Sequence, residues 1–268
     1  MTNTDLDILR DRVRGILLGL AAGDRIGGPI RMALFVAESL HERQGFERAD
    51  LEARYLEWWR DGAFDTGPTV AEVLSQVERG ISFDAAVANA DKELRGLTAG
   101  CNPAHRAAPI AMSAPIADAD IESVAIREAG TTHAHPLAGQ TSAAVARLCR
   151  LLVRGTPWTT ALQRVAESSD ERVRRALEVQ DESDINAGGF APDTLAAAIY
   201  HLGRADSFAE AIDRSMAFAG FANYCPVLVG SIGGARWGRS QIEASQLEHH
   251  GSLVEKLDSL AKSMAADW

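Results

Sequence analysis

Apolar residues recur at helical spacing along most of the chain. In residues 6–20 they fall every three or four positions, which places them on one face of an α-helix that packs against a core. Six further segments have the same period and are predicted to be helices: 32–40, 51–59, 70–77, 137–152, 195–202 and 253–264. Alternating β-branched runs, which would indicate strands, are almost absent. The pattern predicts an all-α protein, a compact globule of orthogonal helices.

Short polar residues and prolines predict where some helices begin. Three such signals are a proline at a first helical position and two pairs with the spacing of a capping box: Thr156-Pro157, Ser207/Glu210 and Ser252/Glu255. Residues 180–192, rich in Asp, Gly and Asn, predict a surface loop. No linker, low-complexity tract or repeat divides the chain, so we expect a single domain over residues 1–268.

Composition and charge narrow the class of protein. Of 268 residues, 46% are hydrophobic and 24% charged, which is typical of a globular protein. The formal net charge of -10 disfavours binding to nucleic acid or to anionic membranes. The apolar run 16–22 is too short to cross a bilayer and lacks the layout of a signal peptide, so we expect a cytoplasmic protein. We expect a monomer or a weak homodimer.

Five polar, glycine-containing segments interrupt the predicted helices, and each ends against a helix: residues 23–29, 61–69, 100–106, 131–136 and 220–226. Backbone N–H groups and short polar side chains are free where helices begin or end, so chemistry on a helical scaffold is expected there. We therefore predict that the five segments converge on one cleft.

The residues in these segments allow structural as well as chemical interpretations. Asp65 and Thr66 directly precede a helix and suit an N-cap, although capping does not exclude catalysis. Asp24 suits a turn or a helix end. His133 and His135 are two residues apart, which does not match the usual spacing of zinc-binding histidines on a helix. We predict that these two histidines are structural and hydrogen-bonded.

The segment 100–106 brings three polar side chains together. Asn102, His105 and Arg106 could bind a phosphate or a sugar, or could equally bond loop carbonyls. Arg106 is the best candidate for binding an anion. Cys101 and Cys225 have no adjacent cationic partner, so we predict that both are small buried residues. The glycines of residues 230–238 predict close helix packing rather than a phosphate loop.

In their order, these segments resemble the ADP-ribosylglycohydrolase family, which includes the dinitrogenase reductase-activating glycohydrolases. The resemblance spans about residues 10–240 and rests on RVRGILLGLAAGDRIGGPI, FDTGPT, AGCNPAHRAAPIAM, THAHPLAG and GFANYCPVLVGSIGGARWG. The first segment is similar to the family's G-D-x-x-G-x-P turn, and THAHP to its T-H-x-H-P helix entrance. The resemblance implies the all-α fold of this family and hydrolysis of the N- or O-glycosidic bond of ADP-ribose adducts, assisted by two Mg²⁺ ions.

The chain departs from the family at the positions that hold the metals. The family's T-D-D-T corresponds to Ala63, Phe64, Asp65 and Thr66, and its G-D-T-D-T to Gly220, Phe221, Ala222, Asn223 and Tyr224. The acid that often follows the G-D-x-x-G-x-P turn is also absent, since Arg31 stands there. A hard cation requires oxygen ligands. We therefore expect no binuclear Mg²⁺ site and at most one weakly bound cation at Asp65, Thr66 and Asn223.

Three functions fit these residues. The first is a glycosidic-bond hydrolase for an ADP-ribosyl, ribosyl or nucleoside-like substrate, with Asp65 activating water or stabilising an oxocarbenium-like transition state. His105 or Tyr224 would then donate a proton. The predicted substrate-binding residues are Asp24, Thr66, Asn102, Arg106, Phe221 and Asn223. The second function is a non-catalytic nucleotide- or ribose-binding protein, and the third is an unrelated small-molecule site on the same scaffold.

Overall fold

The computed structural model describes residues 2–268, which form fourteen α-helices and five short 3-10 turns. The α-helices are α1 (Asn3–Gly23), α2 (Gly28–Arg43), α3 (Arg48–Arg60), α4 (Gly67–Glu78), α5 (Phe83–Glu93), α6 (Asn102–Ala107), α7 (Ile121–Ala129), α8 (Pro136–Val153), α9 (Trp158–Ala166), α10 (Glu171–Leu177), α11 (Ala191–Gly203), α12 (Phe208–Ala219), α13 (Cys225–Trp237) and α14 (Leu253–Ala266).

This architecture confirms the all-α prediction, and the seven segments with helical period lie inside helices. Within residues 2–268, the only strand-like pairing is an isolated bridge between Gly100 and Phe190. That bridge ties the start of α6 to the start of α11, because Cys101 N–H donates to the Gly189 carbonyl and Ala191 N–H donates to the Ala99 carbonyl.

The predicted helix starts differ from the structure in detail. Pro157 is the N-cap of α9, one position earlier than predicted. The Ser207 side chain accepts a hydrogen bond from Glu210 N–H, as a capping box requires. The Glu210 carboxylate, however, accepts from Asp206 N–H instead of Ser207 N–H, so the capping box is incomplete. Ser252 stands directly before α14, so the predicted helix start is confirmed, but its backbone angles are helical and its side chain makes no cap hydrogen bond, so the predicted capping box is wrong.

One apolar core extends from Leu9 on α1 to Ala265 on α14, and a smaller cluster fills the space between α4 and α5. α1 and α8 contribute long runs of buried side chains to the main core. Among the described residues, no helix has the length and apolar character needed to cross a membrane.

Two helices from opposite ends of the chain, α1 and α13, touch backbone to backbone. A Cβ on Gly19 would lie 2.2 Å from the Gly230 carbonyl oxygen, and a Cβ on Gly15 would lie 2.2 Å from that of Gly234. The glycines recur every four residues on both helices, so they form one side-chain-free stripe on each. This confirms the predicted close packing, and it fixes the start of α13 beside the end of α1, at Asp24.

Candidate active site

A cavity of about 600 Å³ opens where six helices begin. Its walls come from the first residues of α2, α4 and α6 and from the segments that precede α2, α4, α6, α8, α11 and α13. All five polar segments of the sequence contribute to these walls, through Ile26, Asp65, Asn102, His135 and Asn223 among others. The structure therefore brings together the segments that were predicted to converge.

Proline begins each of these six helices. Pro29, Pro68, Pro103, Pro136, Pro192 and Pro226 occupy the first or second helical position, and they are six of the nine prolines in the chain. Proline suits this position because its φ is already helical and its missing N–H would have no partner there. The remaining N–H groups at the helix starts and the positive ends of the helix dipoles therefore lie next to the cavity.

Asp65 supplies the carboxylate of the cavity wall. It lies two residues before α4 with φ of 53°, and its side chain is half-buried. Gly28 approaches so closely that a Cβ there would lie 2.6 Å from the Asp65 carbonyl oxygen. Burial raises the pKa of Asp65, and the neighbouring carboxylate of Asp24 raises it further, while hydrogen bonds from Asn223 and from Gly28 N–H oppose the change.

Asp24 lies behind the cavity wall and does not line the cavity. It is fully buried, and its carboxylate accepts from the N–H groups of Gly27 and Ile30 at 2.8 Å each. It therefore joins the end of α1 to the start of α2, as the prediction of a turn or helix-end residue stated. Its oxygens are occupied by these bonds, which leaves no role for Asp24 in direct contact with a substrate.

Asn223 connects the two carboxylates. Its side-chain Nδ2 donates to Asp24 Oδ1 at 2.6 Å and lies 3.4 Å from Asp65 Oδ2, while its Oδ1 accepts from Arg25 N–H at 3.1 Å. The Arg25 guanidinium in turn donates to the carbonyls of Gly220 and Ala222, which holds the loop before α13. The amide of Asn223 thus keeps two negative charges close together.

These residues do not fit two Mg²⁺ ions. Asp65 carries the one carboxylate among the residues that line the cavity, the oxygens of Asp24 accept backbone N–H groups, and the amide oxygen of Asn223 is already bonded. Thr66 directly precedes α4, but its hydroxyl neither caps the helix nor lines the cavity, so the structure does not support its prediction as a substrate-binding residue. In residues 2–268, no group of three or more His, Cys, Asp or Glu side chains could hold a metal ion. An octahedral cation would need more free oxygen atoms than this arrangement offers.

Arg31 and Phe64, which stand at positions matched to acids of the family that the chain resembles, pair with each other. The Arg31 guanidinium lies 4.8 Å from the centre of the Phe64 ring and donates to the Gly27 carbonyl. The Phe64 ring also packs edge-on against Trp58. Neither Arg31 nor Phe64 lines the cavity. Their side chains form a cation–π contact outside it.

Arg106 does not reach the cavity, and the structure corrects its prediction as an anion-binding residue. Its guanidinium is fully buried, donates to Glu128 at 2.6 Å and to Thr132 Oγ1 at 2.8 Å, and stacks on Tyr55. The Tyr55 hydroxyl donates to the same carboxylate at 2.9 Å. A fully paired, buried guanidinium cannot be withdrawn for a ligand without leaving Glu128 unpaired.

His105 does line the cavity. Its ring is 2% exposed, and neither ring nitrogen has a hydrogen-bond partner among the described residues. Burial lowers the pKa of His105 to about 4, although Asp24 acts in the opposite direction. The ring is therefore neutral at pH 7, which does not favour it as a proton donor.

The rim of the cavity is apolar and exposed. Phe221 is fully exposed, Tyr224 is partly exposed with its ring against Gly189, and Ile26 and Leu97 complete the rim. Phe221 and Tyr224 thus lie where sequence reasoning placed them. Tyr224 brings a hydroxyl group to this rim.

The two histidines of the 131–136 segment are hydrogen-bonded. His135 is the N-cap of α8 and its Nδ1 accepts from Leu137 N–H, while His133 Nδ1 lies 2.8 Å from Thr132 Oγ1. His135 lines the cavity. The prediction that both histidines are hydrogen-bonded at a helix entrance is confirmed.

Sequence reasoning missed Leu97, Gly189 and Phe190, which also line the cavity. Gly189 and Phe190 fall in the segment that was assigned only as a surface loop. The signal that could have found them is Pro192, because Phe-Ala-Pro begins a helix in the same way as the other five proline-headed segments. Leu97 carries no such signal.

Comparison with known proteins gives consistent matches. The family model described as ADP-ribosylglycohydrolase matches residues 30–268. The chain is 26% identical to the ADP-ribosylarginine hydrolase Tri1 of Serratia proteamaculans (strain 568), with 95% of this chain and 79% of that protein covered. It is 20% identical to the ADP-ribosyl-(dinitrogen reductase) glycohydrolase of Rhodospirillum rubrum, with 92% and 93% covered. A solved ADP-ribosylglycohydrolase-related protein complex matches with a TM-score of 0.79 and 26% identity, covering 97% of this chain and 99% of that one.

Proposed function

Starting from the fact that the chain belongs to the ADP-ribosylglycohydrolase family, we propose that it hydrolyses a glycosidic bond of an ADP-ribosyl, ribosyl or nucleoside-like substrate without a binuclear Mg²⁺ site. The observation that carries this proposal is the half-buried Asp65 carboxylate at the convergence of six helix starts. Glycosidic cleavage needs negative charge or a base beside the anomeric carbon, and Asp65 supplies either.

The environment of Asp65 suits a base. Its raised pKa makes the carboxylate a stronger proton acceptor than an exposed aspartate, and the amide of Asn223 holds one of its oxygens in place. Its left-handed backbone conformation and the close approach of Gly28 fix the direction of the side chain. Asp65 would then take a proton from the attacking water or stabilise the positive charge that develops on the sugar.

Other residues of the wall bind and cover the substrate in this proposal. Asn102 donates to the Thr66 carbonyl through Nδ2, which leaves its Oδ1 free to accept from a sugar hydroxyl. Phe221 and Tyr224 provide apolar surface above the sugar, and the Tyr224 hydroxyl is the candidate proton donor to the leaving group. The two rings would also exclude water from the reacting carbon.

The helix starts suit a substrate with phosphate groups. No Lys or Arg is among the described residues that line the cavity, so backbone N–H groups and helix dipoles would have to supply the attraction for a phosphate there. α4 and α13 begin without a side-chain cap, so their first N–H groups have no side-chain partner. A diphosphate that lies against these helix starts would find donors without a bound cation.

Turnover in the presence of a chelator tests the proposal. The protein is incubated with ADP-ribosyl-arginine, ADP-ribosyl-serine and simple nucleosides, with and without EDTA, and released sugar is measured. We expect release that EDTA does not abolish. Asp65→Asn should reduce it about a hundredfold or more, the usual scale for a positioned base, with a smaller effect on substrate affinity.

Asp61→Asn is the matched control, because Asp61 lies in the same connection as Asp65 but is exposed and does not line the cavity. It should leave turnover unchanged. Full activity of a folded Asp65→Asn variant, or release that depends entirely on a divalent cation, would contradict the proposal.

A second candidate function is a non-catalytic nucleotide- or ribose-binding protein. It is favoured by the replacement of acids with Phe221 and Asn223, which leaves one carboxylate in the cavity wall. This protein would bind ADP-ribose in the same cavity and release no sugar from any of the substrates above.

A further inference from the structure

The loop of residues 220–222, just before α13, has little packing of its own. A Cβ on Gly220 would meet nothing within 4 Å, and the φ of 59° there favours glycine. The Phe221 side chain is fully exposed, and Ala222 is only partly buried. Apolar contacts therefore do not fix this loop, and its position depends on hydrogen bonds.

Arg25 supplies two of these hydrogen bonds from a single nitrogen. Its Nη2 donates to the Gly220 carbonyl at 2.6 Å and to the Ala222 carbonyl at 2.7 Å. Because both carbonyls bind the same nitrogen, the backbone between them is drawn into a tight loop with Phe221 at its tip. Hydrogen bonds from a charged donor are short and about twice as strong as neutral ones. One guanidinium thus closes the loop.

The backbone that carries Arg25 is itself fixed. Asp24 accepts from the N–H groups of Gly27 and Ile30 at 2.8 Å each, which ties residues 24–30 into one hydrogen-bonded turn. This turn directly follows α1, the helix that touches α13 backbone to backbone. Arg25 therefore joins a rigid turn to a loosely packed loop.

The closed loop leads directly into Asn223, which contacts the carboxylate of the cavity wall. Asn223 is buried, and its Oδ1 accepts from Arg25 N–H at 3.1 Å. Its Nδ2 lies 2.6 Å from Asp24 Oδ1 and 3.4 Å from Asp65 Oδ2. The distance to Asp65 is near the limit of a hydrogen bond, so a small shift of Ala222 and the residue after it would break this contact.

We propose that Arg25 is a positioning residue of the hydrolase, whose guanidinium closes the loop and thereby holds the amide of Asn223 beside Asp65. The same closure sets Phe221 at the rim of the cavity. Arg25 is not among the described residues that line the cavity, so it acts through the loop and not on the substrate. The inference rests on the proposed function, because it states what keeps Asp65 in a productive arrangement.

Hydrogen exchange tests the closure of the loop without any substrate. The amides of Gly220 and Ala222 donate to the carbonyls of Met216 and Ala219 at the end of α12, so their exchange rates report whether the loop stays closed. We expect Arg25→Ala in the full-length protein to speed exchange of these two amides about tenfold or more, the scale of one lost hydrogen bond. The amides of α8 should exchange at the wild-type rate.

Turnover tests the positioning role. The hydrogen bond from Asn223 lowers the pKa of Asp65, so its loss should raise that pKa. We expect Arg25→Ala to move the acid limb of the pH–rate profile upward by about half a pH unit or more. Its kcat should fall about tenfold, because a displaced catalytic group reacts more slowly.

Two further variants separate the bonding geometry from the charge and from the substitution itself. Arg25→Lys keeps the positive charge, but its Nζ ends one bond short of Nη2, so it should behave like Arg25→Ala. Arg239→Ala is the matched control, because Arg239 also donates to a loop carbonyl, that of Ile242 at 2.7 Å, and does not line the cavity. It should leave the exchange rates of the loop and turnover unchanged.

The outcomes distinguish this inference from the proposed function. Wild-type exchange at the loop in Arg25→Ala, or an acid limb that stays in place, would overturn the role of Arg25 and leave the hydrolase proposal standing. Wild-type behaviour of Arg25→Lys would mean that charge alone suffices, which also contradicts the assignment. A wild-type protein that releases no sugar would overturn the hydrolase proposal and with it the positioning role, while the exchange rates would still show whether Arg25 closes the loop.

Discussion

Asn223 is a single amide between two carboxylates, and replacing it with an acid tests how this site responds to a third carboxylate. Asn223→Asp replaces a donor to Asp24 and Asp65 with a third negative charge. We expect the variant to lose about 2 kcal/mol or more of unfolding free energy, since a buried hydrogen bond becomes a like-charge contact. Mg²⁺ should restore part of this loss in the variant and leave the wild type unchanged, as thermal unfolding can measure.

Asn186→Asp provides the control for that substitution. Asn186 also donates its amide to a carboxylate, that of Asp193 at 2.8 Å, but on the exposed surface where water screens the charge. It should cost little and show no response to Mg²⁺. An Asn223→Asp protein as stable as the wild type would mean that Asp24 and Asp65 are not both charged.

The ionised carboxylate of Asp65 should lower the free energy of unfolding. Because its pKa is raised in the folded state, ionisation favours the unfolded chain, and its contribution to stability falls as pH rises from about 3.8 through the folded pKa. Asparagine removes this charge and is also better suited to a positive φ. We expect Asp65→Asn to unfold at a higher temperature than the wild type at pH 7, and a lower temperature would contradict the pKa direction.

At the scale of helices, the α1–α13 contact should be the least tolerant of added volume. Gly19→Ala places a Cβ 2.2 Å from the Gly230 carbonyl oxygen, and both atoms belong to rigid helix backbones. We expect a loss of about 3 kcal/mol or more in urea unfolding, at or above the usual range for overpacking. Gly45→Ala should change little, and a small effect of Gly19→Ala would mean that the two helices can separate easily.

The helices could be predicted because their apolar period and their proline starts are local properties of the sequence. The positions of Asp65, Asn102 and Asn223 around one cavity followed from the same local signals, since each stands just before or at a proline-headed helix. The role of Arg106 could not be predicted in this way. Its partner Glu128 lies on α7 and has no feature in the sequence that distinguishes it from a surface charge.

Caps were predicted less well than helices. The Ser252/Glu255 pair has the right spacing, yet the backbone of Ser252 is helical, so its hydroxyl does not reach the N–H groups that a cap binds. Spacing gives the residue types of a capping box but not the extended backbone that the cap residue needs. The long-range hydrogen bonds of Asn223 are likewise invisible in the sequence, because they depend on how α1 and α13 pack.

At the scale of the whole molecule, buried histidines should make the protein sensitive to acid. Burial lowers the pKa of His105 and of His201 to about 4, and that of His133 well below its ordinary value. Such groups bind protons more readily in the unfolded chain, so the stability that they contribute is present above about pH 6.5 and is lost as pH falls toward 4. Each contributes a slope of up to about 1.4 kcal/mol per pH unit within its window.

Urea unfolding at pH 7 and at pH 5 measures this slope. We expect the unfolding free energy to be lower at pH 5, and His201→Leu to reduce the difference, because neither nitrogen of His201 has a partner to lose in the described structure. His201 does not line the cavity, so the variant leaves the candidate site intact. Equal stability at the two pH values would contradict the lowered pKa values.

The three cysteines are all free and buried, and burial raises the pKa of Cys101 and of Cys225 to about 12. Their thiols therefore react with alkylating reagents only when the structure around them opens, which makes them built-in reporters of motion. Cys101 directly precedes α6 and Cys225 is the first residue of α13, both beside the cavity, whereas Cys149 lies within α8 in the core. Mass spectrometry of the alkylated chain would then distinguish local opening of the cavity from global unfolding. A ligand that occupies the cavity would slow alkylation of Cys101 and Cys225, whereas the alkylation rate of Cys149 would depend on the stability of the whole fold.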